Sequence, residues 1–154
     1  MGKWLLLPIL FYADVISADE ETQCLAENIY FEARSESTAG KIAVALVTLN
    51  RVEHPNFPGT VCGVVKQTKY YSNGNIDLHS CQFSWYCDGK SDIPTEKVFD
   101  EMLLLASVML RWKSTDITNG SLWYHSKKVN PDWASHYVQT VSIDNHIFYK
   151  PKAD

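Results

Sequence analysis

Apolar residues recur with the period of an α-helix in three stretches of the chain. Residues 39–52 are apolar on nearly every face and predict a buried central helix. Residues 20–33 predict a helix before it, and residues 94–112, with apolar side chains at helical spacing, predict a second core helix. Ser37 or Thr38 stands where the N-cap of the central helix is expected. The pattern therefore indicates a core built mainly from helices.

Short aromatic segments near the C-terminus follow a different pattern. Residues 122–126 and 146–150 are rich in β-forming side chains and predict two antiparallel strands, with a helical turn at residues 131–137 between them. Residues 81–87, which begin and end with cysteine, predict an extended segment or a hairpin closed at its base. Together these elements predict an α+β fold, with a helical core and a small antiparallel β-sheet.

The first 18 residues have the features of an export signal. Lys3 is followed by an apolar run at residues 4–12, and the small residue Ala18 precedes an acidic segment. We therefore expect residues 1–18 to be a signal peptide, and the mature protein to lie in the periplasm, outside the cell or in the cell wall.

An uncleaved anchor is the alternative, because Asp14 and the bulky Ile16 are poorly suited to a cleavage site. The apolar run is nevertheless short for a bilayer, so we expect no stable membrane span after signal cleavage. Residues 19–154 are long enough for one catalytic domain, which we expect to be a monomer. The net charge of -4 argues against nucleic acid as a partner.

The chain contains four cysteines, Cys24, Cys62, Cys81 and Cys87. An even number of cysteines in an exported chain favours disulfides over metal thiolates. Three connectivities are possible, and we favour Cys81 with Cys87, close across a turn, and Cys24 with Cys62. A structural zinc site made from all four is the alternative, although no C-x-x-C pair is present.

The segment LAENIYFEARSE, residues 25–36, contains the strongest candidate for catalysis. At about 100° per residue, Glu32 and Glu36 share a helix stripe with Leu25 and Ile29, whereas Glu27 lies on the opposite side and is expected to face water. A carboxyl group held against apolar neighbours keeps its proton to higher pH, which suits a general acid. The alternative is that Glu32 and Glu36 form an i,i+4 pair on a solvated face.

The cysteine-flanked segment carries candidate sugar-binding side chains, Gln82, Ser84 and Trp85. Aromatic faces stack on sugar rings, while amides and hydroxyls bind sugar hydroxyl and acetamido groups. The three residues therefore fit a glycan groove. The alternative is that Phe83 and Trp85 are core aromatics, which we favour for Phe83.

Polar aromatic residues also cluster in the two predicted strands, with Tyr124 and His125 in the first and His146 and Tyr149 in the second. We expect substrate contact or structural hydrogen bonding from Tyr124, His125 and Tyr149. Metal binding by His125, His136 and His146 is the alternative, but the H-E-x-x-H motif of zinc peptidases is absent.

Six ordered blocks, YFEARSE, GKIAVALVTLNRV, FPGTVCGVV, CQFSWYCDGK, LWYHSKKVNPDWA and NHIFYK, closely resemble the spore cortex-lytic (SleB-like) cell wall hydrolase family. The resemblance covers nearly all of the chain after residue 22. It implies a lysozyme-like or lytic-transglycosylase-like domain that cleaves the glycan strands of peptidoglycan. We expect no metal and no cofactor. It also implies that Glu32, in the EAR motif, is the acid/base catalyst and that Gln82, in QFS, lies at the site.

An ordinary glycosidase needs two carboxylates beside the bond. Glu36, one helical turn after Glu32, is the possible second carboxylate, and Asp88 and Asp92 are equally open candidates. A lytic transglycosylase needs one Glu, and the resemblance implies this reaction, between N-acetylmuramic acid and N-acetylglucosamine. The alternatives are a hydrolytic muramidase, a zinc-dependent amidase or peptidase, and a glycan-binding module without catalysis.

Overall fold

The structure is a computed structural model that describes residues 9–94, 97–112 and 115–152, with side chains from residue 19 onward. Helices, including short 3-10 turns, precede and flank a three-stranded sheet. In chain order the elements are α1 (Ile9–Ala33), α2 (Thr38–Glu53), α3 (Val61–Val65), a 3-10 turn (Ser84–Cys87), α4 (Phe99–Arg111), β1 (Trp123–Ser126), a second 3-10 turn (Asp132–His136), β2 (Val138–Ile143) and β3 (His146–Lys150).

The predicted central helix is confirmed as α2, which extends one residue beyond the expected range at each end. It begins after Ser37, whose side chain accepts a hydrogen bond from the backbone N–H of Gly40. Half of its residues are buried, because it packs against α1 on one side and the sheet on another. Helix α2 therefore connects the helical part of the fold with the sheet.

Helix α1 begins at Ile9, earlier than the predicted residue 20, and ends at Ala33 as predicted. The predicted signal peptide covers residues 1–8, which lie outside the described part of the chain, and the first turns of α1. Its cleavage stays a prediction. Among the described helices, none combines the length and apolarity needed to cross a membrane.

The predicted helix at 94–112 is observed as α4, which is shorter, Phe99–Arg111. Residues 95 and 96, at the start of the predicted range, lie outside the described residues. Helix α4 buries Met102, Ala106 and Met109 against α1 and α2, so the predicted core face is confirmed.

The predicted antiparallel pairing of the two aromatic strands is also confirmed, with Trp123 opposite Tyr149 and Ser126 opposite His146. The predicted helical turn is present at Asp132–His136. However, β3 lies in the centre of the sheet, because β2 pairs with its other edge. Strand β2 was not predicted: its exposed positions are Val138, Gln139 and Ser142, and its register is interrupted by a bulge near Gln139.

Residues 81–87 differ from the prediction of an extended segment or hairpin. The chain forms a 3-10 turn at Ser84–Cys87 and buries Trp85 and Cys87. The preferred disulfide pairing is the one in the structure, where Cys81 pairs with Cys87 across this turn and Cys24 of α1 pairs with Cys62 of α3. These bonds leave no cysteine thiolate for the alternative zinc site.

Candidate active site

A cavity of about 270 Å³ lies where the end of α1, the end of α2, the cysteine-flanked segment and β1 meet. The sequence-predicted residues Glu32, Gln82, Ser84 and Tyr124 all line it. The other lining residues are Arg51, Cys81, Phe83, Trp123 and Trp133. The structure thus brings together four of the predicted site residues from three distant parts of the sequence.

Glu32 lies in the last turn of α1. Its Oε2 accepts a hydrogen bond of 3.1 Å from the hydroxyl of Tyr124. Burial raises the pKa of the Glu32 carboxyl above its ordinary value, while the Tyr124 hydrogen bond and the charge of Arg51 oppose that rise. A carboxyl group in this environment keeps its proton to higher pH than an exposed one, which suits a general acid.

Arg51 is the cationic side chain that lines the cavity, and it was not among the site residues predicted from the sequence. Its side chain is 3% exposed, and its Nε donates a 2.7 Å hydrogen bond to the carbonyl of Leu122. Burial lowers its pKa to about 10, with opposing contributions from Tyr124 and Glu32, so it remains protonated at neutral pH. A signal was available in the sequence, because a charged residue in the last turn of an all-apolar helix requires a reason to be buried.

Asn28 is a second residue that the sequence analysis missed. It is fully buried one turn before Glu32. Its Nδ2 donates to Thr48 Oγ1 at 3.1 Å, and its Oδ1 accepts from Trp85 Nε1 at 3.1 Å. Asn28 therefore ties α1 to α2 and to the 3-10 turn, which fixes the rotation of the helix that carries Glu32.

The sequence profile of the Cell Wall Hydrolase family matches residues 35–149. The chain belongs to this family. The matched region begins three residues after Glu32, so the match itself does not bear on that residue.

Two curated members of the family are spore cortex-lytic enzymes. The one from Halalkalibacterium halodurans is 46% identical over 136 residues, which is 85% of this chain and 35% of that protein. The one from Bacillus cereus is 30% identical over 138 residues, 86% of this chain and 45% of that protein. The chain thus spans less than half the length of these relatives.

Two solved structures share the fold and confirm the predicted α+β, lysozyme-like class. The catalytic domain of Bacillus cereus SleB has a TM-score of 0.61 at 29% identity, covering 84% of this chain and 89% of that one. The catalytic domain of a germination-specific lytic transglycosylase, SleB from Bacillus anthracis, has a TM-score of 0.63 at 29% identity, covering 84% and 93%.

Trp85 does not line the Glu32 cavity, in contrast to the sequence prediction. Its ring is 8% exposed and stacks on Phe31 with a centroid distance of 4.6 Å, while its Nε1 is bonded to Asn28. The structure thus favours the core-aromatic alternative for Trp85. Phe83 is also buried in the core, as expected, although one side of it reaches the cavity.

His125 and Tyr149 lie on the opposite face of the sheet from Tyr124, because side chains alternate along β1. The ring Nε2 of His125 and the hydroxyl of Tyr149 are 2.9 Å apart, and the two rings stack. Trp133 packs edge-on against both rings. The structure therefore places these two residues in a structural hydrogen bond with each other, and neither lines the cavity.

The positions of the histidines do not support the alternative of a metal site, because His125 and His146 lie on opposite faces of the sheet. Within the described residues, no group of three or more His, Cys, Asp or Glu side chains is arranged to hold a metal ion.

Glu36 does not continue the helix of Glu32, because α1 ends at Ala33. Its carboxylate accepts hydrogen bonds from the backbone N–H and the Nδ2 of Asn145, at 3.1 and 3.0 Å. It is therefore engaged with the β2–β3 turn and does not line the cavity. Asp88 and Asp92, the other candidates for a second carboxylate, line a separate cavity next to Trp85.

Proposed function

We propose that this domain cleaves the glycan strands of peptidoglycan as a lytic transglycosylase, with Glu32 as the single acid/base. The observation that carries the proposal is the Glu32 carboxyl itself, whose pKa is raised by burial and which is held by Tyr124 in a cavity. Among the described residues, no second Asp or Glu lines that cavity. A mechanism that needs one carboxylate fits this arrangement better than one that needs two.

In the proposed reaction Glu32 takes part in two proton transfers, first as acid and then as base. Protonated Glu32 gives its proton to the glycosidic oxygen between N-acetylmuramic acid and N-acetylglucosamine, and the bond from C1 to that oxygen breaks. The carboxylate that remains takes the proton of the muramoyl 6-hydroxyl, whose oxygen bonds to C1 and closes an anhydro ring. Glu32 is then protonated again, and no water is consumed.

The relatives support this proposal. The curated relatives are called spore cortex-lytic enzymes, and one structural neighbour is called a lytic transglycosylase. We further propose that the domain acts after export, in the periplasm or the cell wall, and as a monomer.

The cavity walls supply two kinds of contact for a sugar chain. Gln82 and Ser84 offer an amide and a hydroxyl for hydrogen bonds to sugar hydroxyl and acetamido groups. Trp123 and Trp133 are half-buried and present aromatic surface to the cavity. We propose that Trp133 takes the stacking role that the sequence analysis gave to Trp85.

The test is digestion of purified peptidoglycan followed by mass spectrometry of the products. We expect anhydro-muramoyl ends from the wild-type protein and a fall of about 100-fold or more with Glu32→Gln. Glu27→Gln is the matched control, because Glu27 is in the same helix, is half-buried and bonds to Gln23 outside the cavity.

Reducing ends would indicate a hydrolytic muramidase, and released peptides with intact glycan would indicate an amidase or peptidase. Binding of intact glycan without any cleavage would indicate a glycan-binding module.

A further inference from the structure

Arg51 is placed beside the proposed catalyst as a fixed positive charge. Its guanidinium carbon lies 5.3 Å from the ring centre of Phe57 and 5.2 Å from that of Phe83. The hydrogen bond from Nε to the Leu122 carbonyl holds the other edge of the group. With contacts on two ring faces and one carbonyl, the group has little freedom to move away from the cavity.

One nitrogen of this guanidinium is not used by the fold. Nη1 is buried and has no hydrogen-bond partner among the described residues. Leaving a buried charged donor unpaired costs stability, and an apolar residue of similar size is often better tolerated at such a site. The burial of Arg51 against the Glu32 cavity therefore indicates a role for the charge beyond packing.

We propose that Arg51 is a positioning residue that stabilises the carboxylate form of Glu32, so that Glu32 can serve first as acid and then as base. This inference rests on the proposed function. A group that gives up a proton and takes one back works best when neither form is strongly favoured. Burial alone favours protonated Glu32, and the positive charge of Arg51 favours the carboxylate and so opposes it.

Few other groups act on Glu32. Tyr124 from β1 donates the hydrogen bond, and its pKa is raised well above the ordinary value by burial, so it stays protonated. His146 from β3 contacts the Tyr124 ring edge-on, and burial lowers its pKa, so it carries no charge at neutral pH. Arg51 from α2 thus supplies a fixed positive charge in the cavity that Glu32 also lines.

The first test needs no change at Arg51. In nitrogen-15 NMR, we expect the Nε signal of Arg51 in the wild-type protein to shift with pH along the titration of Glu32. In Glu32→Gln the signal should be flat over the same range. A signal that is equally flat in both proteins would overturn the inference.

The second test is the pH profile of glycan cleavage. In Arg51→Met the acid form of Glu32 should persist to higher pH, because the opposing charge is gone. We expect the alkaline limb to move up by about one pH unit and the maximal rate to fall about 10-fold. Arg51→Lys, which keeps the charge, should leave the limb near its wild-type position. Arg34→Met is the control, because it also removes one arginine charge. Arg34 lies over the ring of Tyr30, and both residues line the separate cavity next to Trp85, so this variant should not move the alkaline limb of the pH profile.

The outcomes separate the two proposals. If Glu32→Gln cleaves glycan as well as the wild type, the proposed function is wrong. If Glu32→Gln is inactive while Arg51→Met keeps the wild-type pH profile, only the role of Arg51 is wrong. Should Arg51→Met fail to fold, the NMR comparison of the wild type with Glu32→Gln decides the question alone.

Discussion

The hydroxyl of Tyr124 donates a hydrogen bond of 3.1 Å to Oε2 of Glu32, across 92 residues of sequence. The bond joins the last turn of α1 to the first strand of the sheet. A second connection lies nearby, where Oδ2 of Asp144 accepts from both the backbone N–H and the hydroxyl of Ser37, at 2.9 and 2.6 Å. The position of the Glu32 carboxyl is therefore set by contacts between helix and sheet as well as by the helix itself.

Gly40 makes the second connection possible. A Cβ at this position would lie 2.5 Å from Oδ2 of Asp144 and 2.8 Å from Cβ of Glu36. Any larger residue would push the β2–β3 turn away from the start of α2. A glycine is therefore required for the close approach between the turn and the segment that follows Glu32.

Tyr124→Phe should raise the pKa of Glu32, because it removes the hydrogen bond that stabilises the carboxylate. Protonated Glu32 then persists to higher pH, so the alkaline limb of the pH–rate profile should move upward. Turnover should fall about 10-fold or more, in line with the loss of a hydrogen bond to a charged group. The measurement is the pH dependence of glycan cleavage.

The matched control is Tyr149→Phe, which removes the hydroxyl that pairs with His125 on the other face of the sheet. This variant should keep the wild-type pH profile. A similar shift in both variants would mean that the effect reflects general loosening of the sheet and not the bond to Glu32.

Glu32→Gln should be more stable than the wild type at neutral pH and above. The pKa of Glu32 is higher in the folded protein than in the unfolded chain. The contribution of its carboxyl group to the stability of the fold is therefore complete below the unfolded pKa and is lost as the pH rises through the folded pKa. Glutamine has no such loss. The difference in melting temperature between Glu32→Gln and the wild type should therefore grow from pH 4 to pH 8. Each kcal/mol in the free energy of unfolding corresponds to about 2–4 °C in a chain of this size.

The same comparison should be made for Glu27→Gln, whose side chain lies outside the cavity and bonds to Gln23. We expect its melting temperature to follow the wild type across this pH range. A Glu32→Gln variant that gains stability only at low pH would contradict the raised pKa.

Asn28→Ala should destabilise the fold by about 1–3 kcal/mol, because Trp85 Nε1 loses its buried acceptor and Thr48 loses a donor. It should also lower turnover in the folded protein, since the rotation of α1 sets the direction of Glu32. Urea denaturation and activity under folding conditions are the two measurements. Gln23→Ala, which removes an exposed bond on the same helix, should change stability by less than about 0.5 kcal/mol.

The helical part of the fold could be predicted from sequence because its signals are local. Continuous apolar residues mark α2, and the phase of Glu32 with Leu25 and Ile29 already indicates that it leaves the solvent. The strand character of β1 and of β3 follows from the aromatic composition of each segment. Each of these features depends on residues within one element.

The features that were missed depend on distant residues. Glu36 continues the helical phase in sequence, yet the chain turns before it and its carboxylate bonds to Asn145, 109 residues away. The burial of Trp85 depends on Asn28 and Phe31 in another helix. The pattern of a single segment contains none of these contacts, so Asn28 could not be identified as a site residue; for Arg51 the charge at the end of the apolar helix α2 was a local signal that was not used.

The two disulfides should contribute unequally to stability. By loop-closure entropy, the Cys24–Cys62 bond, with a separation of 38 residues, is worth about 4 kcal/mol, and the Cys81–Cys87 bond, with a separation of 6, about 2 kcal/mol. Paired Cys→Ser variants, compared by urea denaturation, should show this order. Intact mass should show four fewer hydrogens in the oxidised protein than in the reduced one, and four titratable thiols in native exported protein would contradict the pairing.

Replacement of two tryptophans should separate substrate binding from packing. Trp133→Ala removes half-buried aromatic surface from the Glu32 cavity, so we expect KM for glycan fragments to rise about 10-fold with a small change in kcat. Trp85→Ala removes a core ring and its bond to Asn28, so it should cost about 3–5 kcal/mol of stability.

Trp112→Ala is the control for both variants, because this tryptophan is 65% exposed just after α4. It should leave KM and the melting temperature close to the wild type. If Trp85→Ala instead stayed stable and lost substrate affinity, the glycan would have to pass along the cavity beside Trp85 and Phe31, and the assignment of the stacking surface to Trp133 would be wrong.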